Sequence, residues 1–227
     1  MKISAIIPAG GSGNRYSKEK NKLLELLSGK EVLITTIEAI LTSDYIDNII
    51  IPSYEGIIPF LNKALQTFPH KDKIQIINGG DTRQASVYNA LEFLNKTTKP
   101  DYIVIHDGAR PLITNDIINS VIKKAIETDA AIVAVPVKDT IKRANSENLV
   151  IETPNREELW QIQTPQVFNF DKLIKAHEKY KQENFTDDAA LMEKEGYNVF
   201  LVKGSYSNIK ITTPEDIIIA EALLAIQ

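Results

Sequence analysis

Two cations, Arg15 and Lys22, stand in and beyond a loop carrying Gly10, Gly11 and Gly13. The loop follows an apolar run, Ile3, Ala5, Ile6 and Ile7, that Pro8 ends. Glycines there let the backbone take positive φ and bring its N–H groups onto an anion without Cβ interference. A guanidinium and an ammonium add fixed charge, so the chemistry on offer is the cradling and neutralising of a polyphosphate. A dinucleotide fingerprint is excluded, because Tyr16 stands where its third glycine belongs. A Walker A loop is excluded as well: the only Gly-Lys, Gly29-Lys30, is followed by Glu31 and lacks a glycine-rich lead-in. Taken alone, the loop serves equally well as a plain strand-to-turn connection.

Three further groups bear on the choice. His106-Asp107-Gly108-Ala109-Arg110-Pro111 follows another apolar run, and its acid and guanidinium could orient a hydroxylated, phosphorylated ligand or simply pair with each other. Gly79-Gly80-Asp81, with Arg83 and Ser86 beyond it, opens a helix, where a nucleoside could be held; Asp81 could equally cap that helix. Arg156 and Lys210 come late. Lys210 is expected in a short strand, Asn208 to Ile211, on the same side as Asn208, and a lysine there reads most simply as an edge lysine.

Composition removes other chemistries. The 227 residues contain no cysteine, so disulfides, thiolate metal sites and cysteine nucleophiles are excluded. His70, His106 and His177 are too dispersed for a zinc cluster or a readable Ser-His-Asp arrangement. Lys and Arg number 26 against 30 Asp and Glu, a net −4, which disfavours nonspecific nucleic-acid binding. No segment reaches the ~20 apolar residues of a membrane span, and no basic, apolar leader opens the chain, so a soluble cytoplasmic protein is expected.

The elements that must position these groups alternate. Strands are expected at Ile46 to Ile51, with a turn at Pro52 and Ser53, and at Ile74 to Ile77, Tyr102 to His106, Ala130 to Val137, Trp160 to Thr164 and Asn198 to Val202. Helices are expected at Leu33 to Leu41, Ile57 to Phe68, Arg83 to Leu94, Ile117 to Thr128, Asp171 to Gln182, Asp187 to Glu195 and Pro214 to Ile226, the last capped by Thr213. This predicts one α/β domain over residues 1–227, Rossmann-like, with a mostly parallel twisted sheet flanked by helices and ligands at the carboxyl ends of the strands. The pattern breaks at about 138–159. Thr140 to Lys142 and Leu149 to Glu152 read as a β-hairpin with too little apolar surface to stand alone, so it is expected to dock, most economically on a second subunit.

The segments IIPAGGSGNR, GGDTRQASV, IVIHDGAR, PVKDTIKR, TPQ, TDDA and NIKITTPED, in this order, resemble the 2-C-methyl-D-erythritol 4-phosphate cytidylyltransferase family over nearly the whole chain. The resemblance implies a homodimeric enzyme that joins CTP to methylerythritol phosphate and releases pyrophosphate. Mg²⁺ would be held mainly by the CTP phosphates, with no metal ligand from the protein. By motif, Arg15 and Lys22 would stabilise the transition state at the α-phosphate, and Arg156 and Lys210 would position the acceptor phosphate. Ala9, Gly10, Gly11 and Gly13 match the phosphate loop, and Gly80, Asp81 and Ser86 the cytidine segment. Asp107, Arg110, Thr140, Thr164 and Thr186 match the acceptor pocket, and the hairpin matches a dimerisation arm bringing Thr140 and Arg156 to the partner's site. The chain departs from the family at Asn21, where proline commonly precedes the lysine, and Lys18 and Lys20 lie nearby. A ribitol 5-phosphate cytidylyltransferase and a non-catalytic nucleotide-sensing protein are the alternatives.

Overall fold

The computed structural model describes residues 1–9 and 21–226. In chain order the elements are β1 (Ile3–Ile6), β2 (Leu26–Leu27), β3 (Lys30–Glu31), α1 (Val32–Leu41), β4 (Asn48–Ser53), α2 (Ile58–Leu65), β5 (Ile74–Asn78), α3 (Arg83–Lys96) and β6 (Tyr102–Ile105). They continue with α4 (Asn115–Thr128), β7 (Ala130–Pro136), β8 (Arg143–Ala144), β9 (Val150–Glu152), β10 (Trp160–Asn169), α5 (Phe170–Lys179), α6 (Asp188–Lys194), β11 (Phe200–Lys203) and α7 (Glu215–Leu224). Seven strands form one sheet in the order β11-β7-β10-β6-β1-β4-β5. Six run in one direction; β10 alone runs antiparallel, to both β6 and β7.

Strand periodicity explains the two layers of helices. Ile3 and Ala5 of β1, with Ile49, Ile51, Val104 and Val133, face a cluster that takes in Leu33 and Ile37 of α1, Leu61 of α2 and Val121 of α4. Ile6, Ile50, Ile103, Ile105, Ile132 and Phe168 face the other way, onto Leu91 of α3, Leu173 of α5 and Met192 of α6. A strand buried on both faces must be apolar throughout, and β1 is buried at all four residues. Among the described residues, no helix is long and apolar enough to cross a membrane.

Several boundaries differ from expectation. Pro52 and Ser53 belong to β4, where they pair with Ile77 and Asn78. β10 continues through Asn169, with an irregularity between Ile162 and Gln166. Asn208 to Ile211 is not a strand: the Asn208 side chain turns inward to donate to the Thr164 carbonyl at 2.9 Å. Thr213 does not cap α7. The Asp216 carboxylate instead accepts from Thr212 and Thr213 N–H, an acid of the first turn reaching back over the helix start. The hairpin strands are shorter than expected and begin at Arg143, which pairs with Glu152. Leu149, Val150 and Ile151 there are 65%, 52% and 55% exposed.

Candidate functional site

The ends of β1, β4, β5 and β6 open on one edge of the sheet, and three predicted segments meet there. Ala9 extends β1 by donating to the Pro52 carbonyl at 2.9 Å and bridging Ser53. Gly10, Gly11, Gly13 and Arg15 lie outside the described residues. Lys22 is described and half-buried, next to Leu23, whose side chain belongs to the core.

After β5 the chain turns at Gly79 and Gly80. Gly79 N–H donates to the Ser53 carbonyl at 2.7 Å, and Gly80 N–H donates to Ser86 Oγ at 3.0 Å. A Cβ at Gly80 would stand 2.5 Å from that of Ala85, so only glycine lets the loop lie this close to α3. Ser86 is fully buried, and its hydroxyl bonds within the turn, to the Thr82 carbonyl among others. It shapes the loop from behind. Asp81 is exposed and does not cap α3; Thr82 does, accepting from Ala85 N–H at 3.0 Å.

The loop after β6 carries the densest charge. Asp107 receives Lys210 Nζ at 2.7 Å, Arg83 Nε at 3.4 Å and, more loosely, Arg110 Nε at 3.6 Å. Lys210 is therefore not an edge lysine: it comes 103 residues along the chain to meet this acid. Burial works against the charge on Asp107, but Arg83, Lys210 and Arg110 outweigh it and hold its carboxyl below the usual range. Burial lowers the Arg110 pKa, partly offset by Asp107, and its guanidinium also donates to the Asn208 carbonyl at 2.8 Å. Arg83 reaches past Asp107 to Asp188 at 2.7 Å, and Asp188 in turn meets His177 Nε2 at 3.0 Å. Burial opposes the Asp188 charge too, yet Arg83 and His177 bring its pKa down to about 2. For Arg83, the two carboxylates overcome burial and raise the pKa above its ordinary value. The Asp107 carboxylate is thus ionised at neutral pH with its oxygens already facing cations, which suits it to accept from hydroxyl groups and makes it a weak base. Among the described residues, no group of three or more acids and histidines could hold a metal ion.

Thr164 ties β10 to this loop. Its hydroxyl accepts from Asp107 N–H at 3.0 Å and stands 3.0 Å from His106 Nδ1, while His106 Nε2 lies 3.0 Å from the Arg110 carbonyl. A carbonyl only accepts, so Nε2 carries a proton, and a neutral ring fits the pair, with Nδ1 accepting from the Thr164 hydroxyl. Burial agrees, pushing the His106 pKa down from 6.5 to about 4. Below pH 6.5 the unfolded chain binds a proton that the folded chain refuses until about pH 4. This contribution to stability is complete above pH 6.5 and declines as the pH falls towards 4. The depressed carboxyls of Asp107 and Asp188 add a further loss at lower pH, through their folded-state values. Urea midpoints measured from pH 7.5 to 4.5 should therefore fall on acidification. The decline between 6.5 and 4.5 should flatten in His106→Gln relative to that variant's own stability at pH 7.5; an unchanged slope would remove His106 as its source.

Thr140, Arg156 and Thr186 make no hydrogen bond to Asp107. Thr140 and Arg156 are exposed on the hairpin, where Arg156 donates to the Lys138 carbonyl at 3.0 Å. Thr186 is exposed and lines a cavity of about 100 Å³ beside Arg83 and Asp188. Local sequence does not point to Asp188, His177 or Asn208 at the site, and Arg83 stands out there only as part of a motif. The doubled acid at Asp187-Asp188, within the TDDA segment, is a signal for this, since two adjacent acids opening a helix can serve both as cap and as buried partner. Asp187 caps α6 through Ala190 N–H, and Asp188 is 2% exposed.

A family model described as 2-C-methyl-D-erythritol 4-phosphate cytidylyltransferase (IspD) matches residues 3–226. A curated protein of that name from Caldanaerobacter subterraneus is 44% identical over 227 residues, covering 99% of each chain. One from Alkaliphilus oremlandii is 43% identical, covering 98% of this chain and 95% of its own. Among solved structures, 4-diphosphocytidyl-2C-methyl-D-erythritol synthase from Anaerococcus prevotii superposes with a TM-score of 0.87 at 33% identity, covering 99% of this chain and 96% of that one. The 2-C-methyl-D-erythritol 4-phosphate cytidylyltransferase of Thermus thermophilus gives 0.79 at 30% identity, with 99% and 100% covered.

Proposed function

This chain belongs to the 2-C-methyl-D-erythritol 4-phosphate cytidylyltransferase family, and from that premise we propose how its residues divide the reaction. It is a nucleotidyltransferase of the non-mevalonate isoprenoid pathway that forms 4-diphosphocytidyl-2-C-methyl-D-erythritol and pyrophosphate from CTP and 2-C-methyl-D-erythritol 4-phosphate. The observation that carries the site assignment is the convergence of Lys210, Arg110 and Arg83 on Asp107 at the carboxyl edge of the sheet.

The nucleophile is a phosphate monoester with a second pKa near ~6, so its oxygen is largely ionised at neutral pH and needs no general base. The absence of any part for a neutral His106 follows. The difficulty is repulsion between a triphosphate and a phosphate dianion, which positioned cations relieve while holding attack in line. Mg²⁺ held by the CTP phosphates would offset further charge on the triphosphate, without a ligand from the protein. Arg15 and Lys22 stabilise the five-coordinate α-phosphate, and Ala9 and Gly10 to Gly13 supply the backbone around the phosphates. Gly80, Asp81 and Ser86 form the cytidine side. Lys210 and Arg156 hold the acceptor phosphate. Asp107, Arg110, Thr140, Thr164 and Thr186 line the acceptor pocket, Asp107 as an ionised acceptor for the polyol hydroxyls.

Thr140 and Arg156 ride on an exposed arm whose returning strand leaves Leu149, Val150 and Ile151 uncovered, which supports a homodimer in which each arm completes the other subunit's site. Pyrophosphate release, measured with CTP and Mg²⁺ against methylerythritol 4-phosphate, ribitol 5-phosphate and no acceptor, tests the substrate. Release is expected with the first alone. Release with ribitol 5-phosphate alone would replace the acceptor in this reading.

A further inference from the structure

The two ends of chain that flank residues 10–20 are both fastened to the end of β4. On one side Ala9 N–H donates to the Pro52 carbonyl at 2.9 Å and Ala9 bridges Ser53. On the other, Asn21 Nδ2 donates to the Tyr54 hydroxyl at 3.2 Å. Pro52, Ser53 and Tyr54 are consecutive, so one strand end and its first following residue hold both stems of the segment.

Asn21 does more than reach Tyr54. Its Oδ1 accepts from Leu23 N–H at 3.0 Å, and its carbonyl accepts from Leu24 N–H at 2.8 Å. This is an Asx turn, with Lys22 as the residue enclosed between acceptor and donor. Leu23 fixes the far side of the turn, because its side chain is buried in the core. The Lys22 backbone is therefore set from both directions, by a hydrogen-bonded asparagine before it and a buried leucine after it.

The Tyr54 ring needs room to take this position, and Gly56 provides it. A Cβ at residue 56 would stand 2.4 Å from Cε2 of the Tyr54 ring, so any larger residue pushes the ring away. A side chain at 56 would thus be felt at Asn21 without touching it.

We propose that Tyr54, acting through Asn21, is a positioning residue for Lys22. The proposal rests on Lys22 acting at the α-phosphate. Asn21 supplies through two hydrogen bonds the restraint that a ring-constrained residue supplies through a fixed φ, and the second bond refers it to β4, the strand that also carries the Ala9 end. Loss of the latch lets the ammonium sample positions off the transition state, which lowers turnover more than it weakens binding.

The test compares Asn21→Ala, Tyr54→Phe, Gly56→Ala and Lys22→Ala in the full chain, by kcat, KM for each substrate and melting temperature. One exposed hydrogen bond supports about a threefold fall in kcat for Tyr54→Phe, and loss of the turn about tenfold for Asn21→Ala. KM for the acceptor should stay within about twofold. Gly56→Ala should fall with Tyr54→Phe. Combined with Asn21→Ala, Tyr54→Phe should add nothing, and neither should lower the residual rate of Lys22→Ala, a dependence that a merely structural role would not produce. Full kcat in both Asn21→Ala and Tyr54→Phe, with Lys22→Ala crippled, overturns the positioning role and leaves Lys22 in place. Undiminished turnover in Lys22→Ala overturns the role of Lys22 itself, and the latch with it.

Discussion

Alanine at Lys22 is expected to lower kcat by roughly two orders of magnitude or more, on the scale of removing one preorganised donor from a developing anion. The same loss is expected for Arg15→Ala. Charge at the α-phosphate grows most as the fifth oxygen approaches, so a cation fixed beside it acts mainly on the transition state and hardly on the ground state. KM for CTP should therefore move little. Lys22 is half-buried at a turn whose fold is set by Asn21 and Leu23, so its side chain can be shortened without opening the core. Steady-state rates alongside a melting curve separate the effects: a large fall in kcat with an unchanged melting temperature is the expected pair. A Lys22→Ala enzyme with wild-type turnover removes this residue from the chemistry.

The second large effect is on folding. Arg83→Ala should destabilise the protein by about 3–5 kcal/mol, because it strips a buried carboxylate of its guanidinium. Asp188 is 2% exposed and would keep only His177, whereas Asp107 would still hold Lys210 and Arg110. Arg83 itself keeps 31% of its side chain accessible, so the cost falls on the carboxylates it serves more than on its own desolvation. For a chain of this length the loss corresponds to a melting temperature lower by about 10 °C. Asp188→Asn should be milder. Combined with Arg83→Ala it should cost clearly less than the two changes added together, since the second removes the charge that the first exposes. Additive losses would show that the pair does not interact as drawn. Turnover should also fall in Arg83→Ala, because Arg83 is one of the groups fixing the Asp107 carboxylate.

Much of this architecture is readable from residue patterns, and the parts that are not have physical reasons. Ile3, Ala5, Ile6 and Ile7 announce a strand covered on both sides, and the alternation of such runs with helical stretches leads to a doubly wound sheet. Periodicity carries no direction, however, so the reversal of β10 is invisible in WQIQTPQVFN. Asp107 and Arg110 draw attention as near neighbours, yet the shorter ion pair is with Lys210, and no local pattern links residues 103 positions apart. Arg83 and Asp188, 105 apart, escape notice for the same reason. Helix starts are ambiguous where several capping residues stand in a row: Thr82 prevails over Asp81, and Asp216 reaches back to do what Thr213 was expected to do. Nothing in the residues around Asn21 announces that its side chain makes two hydrogen bonds, because one of them goes to Tyr54, 33 positions along the chain.

The arm is an insertion in a simple connection. β7 and β10 are antiparallel neighbours, Trp160 pairs with Pro136, and Val137 N–H donates to the Leu159 carbonyl at 3.0 Å, so residues 138–158 leave and re-enter the sheet through one closed gate. Without them the two strands would still be a hairpin. Mutation can lengthen, shorten or re-face the arm without moving a single paired residue of the sheet, and the core records nothing of the change. In the homodimer proposed above, descent could thus alter which surface the arm meets while leaving the sheet untouched, and two lineages could share every strand of that sheet yet no longer recognise each other's subunits.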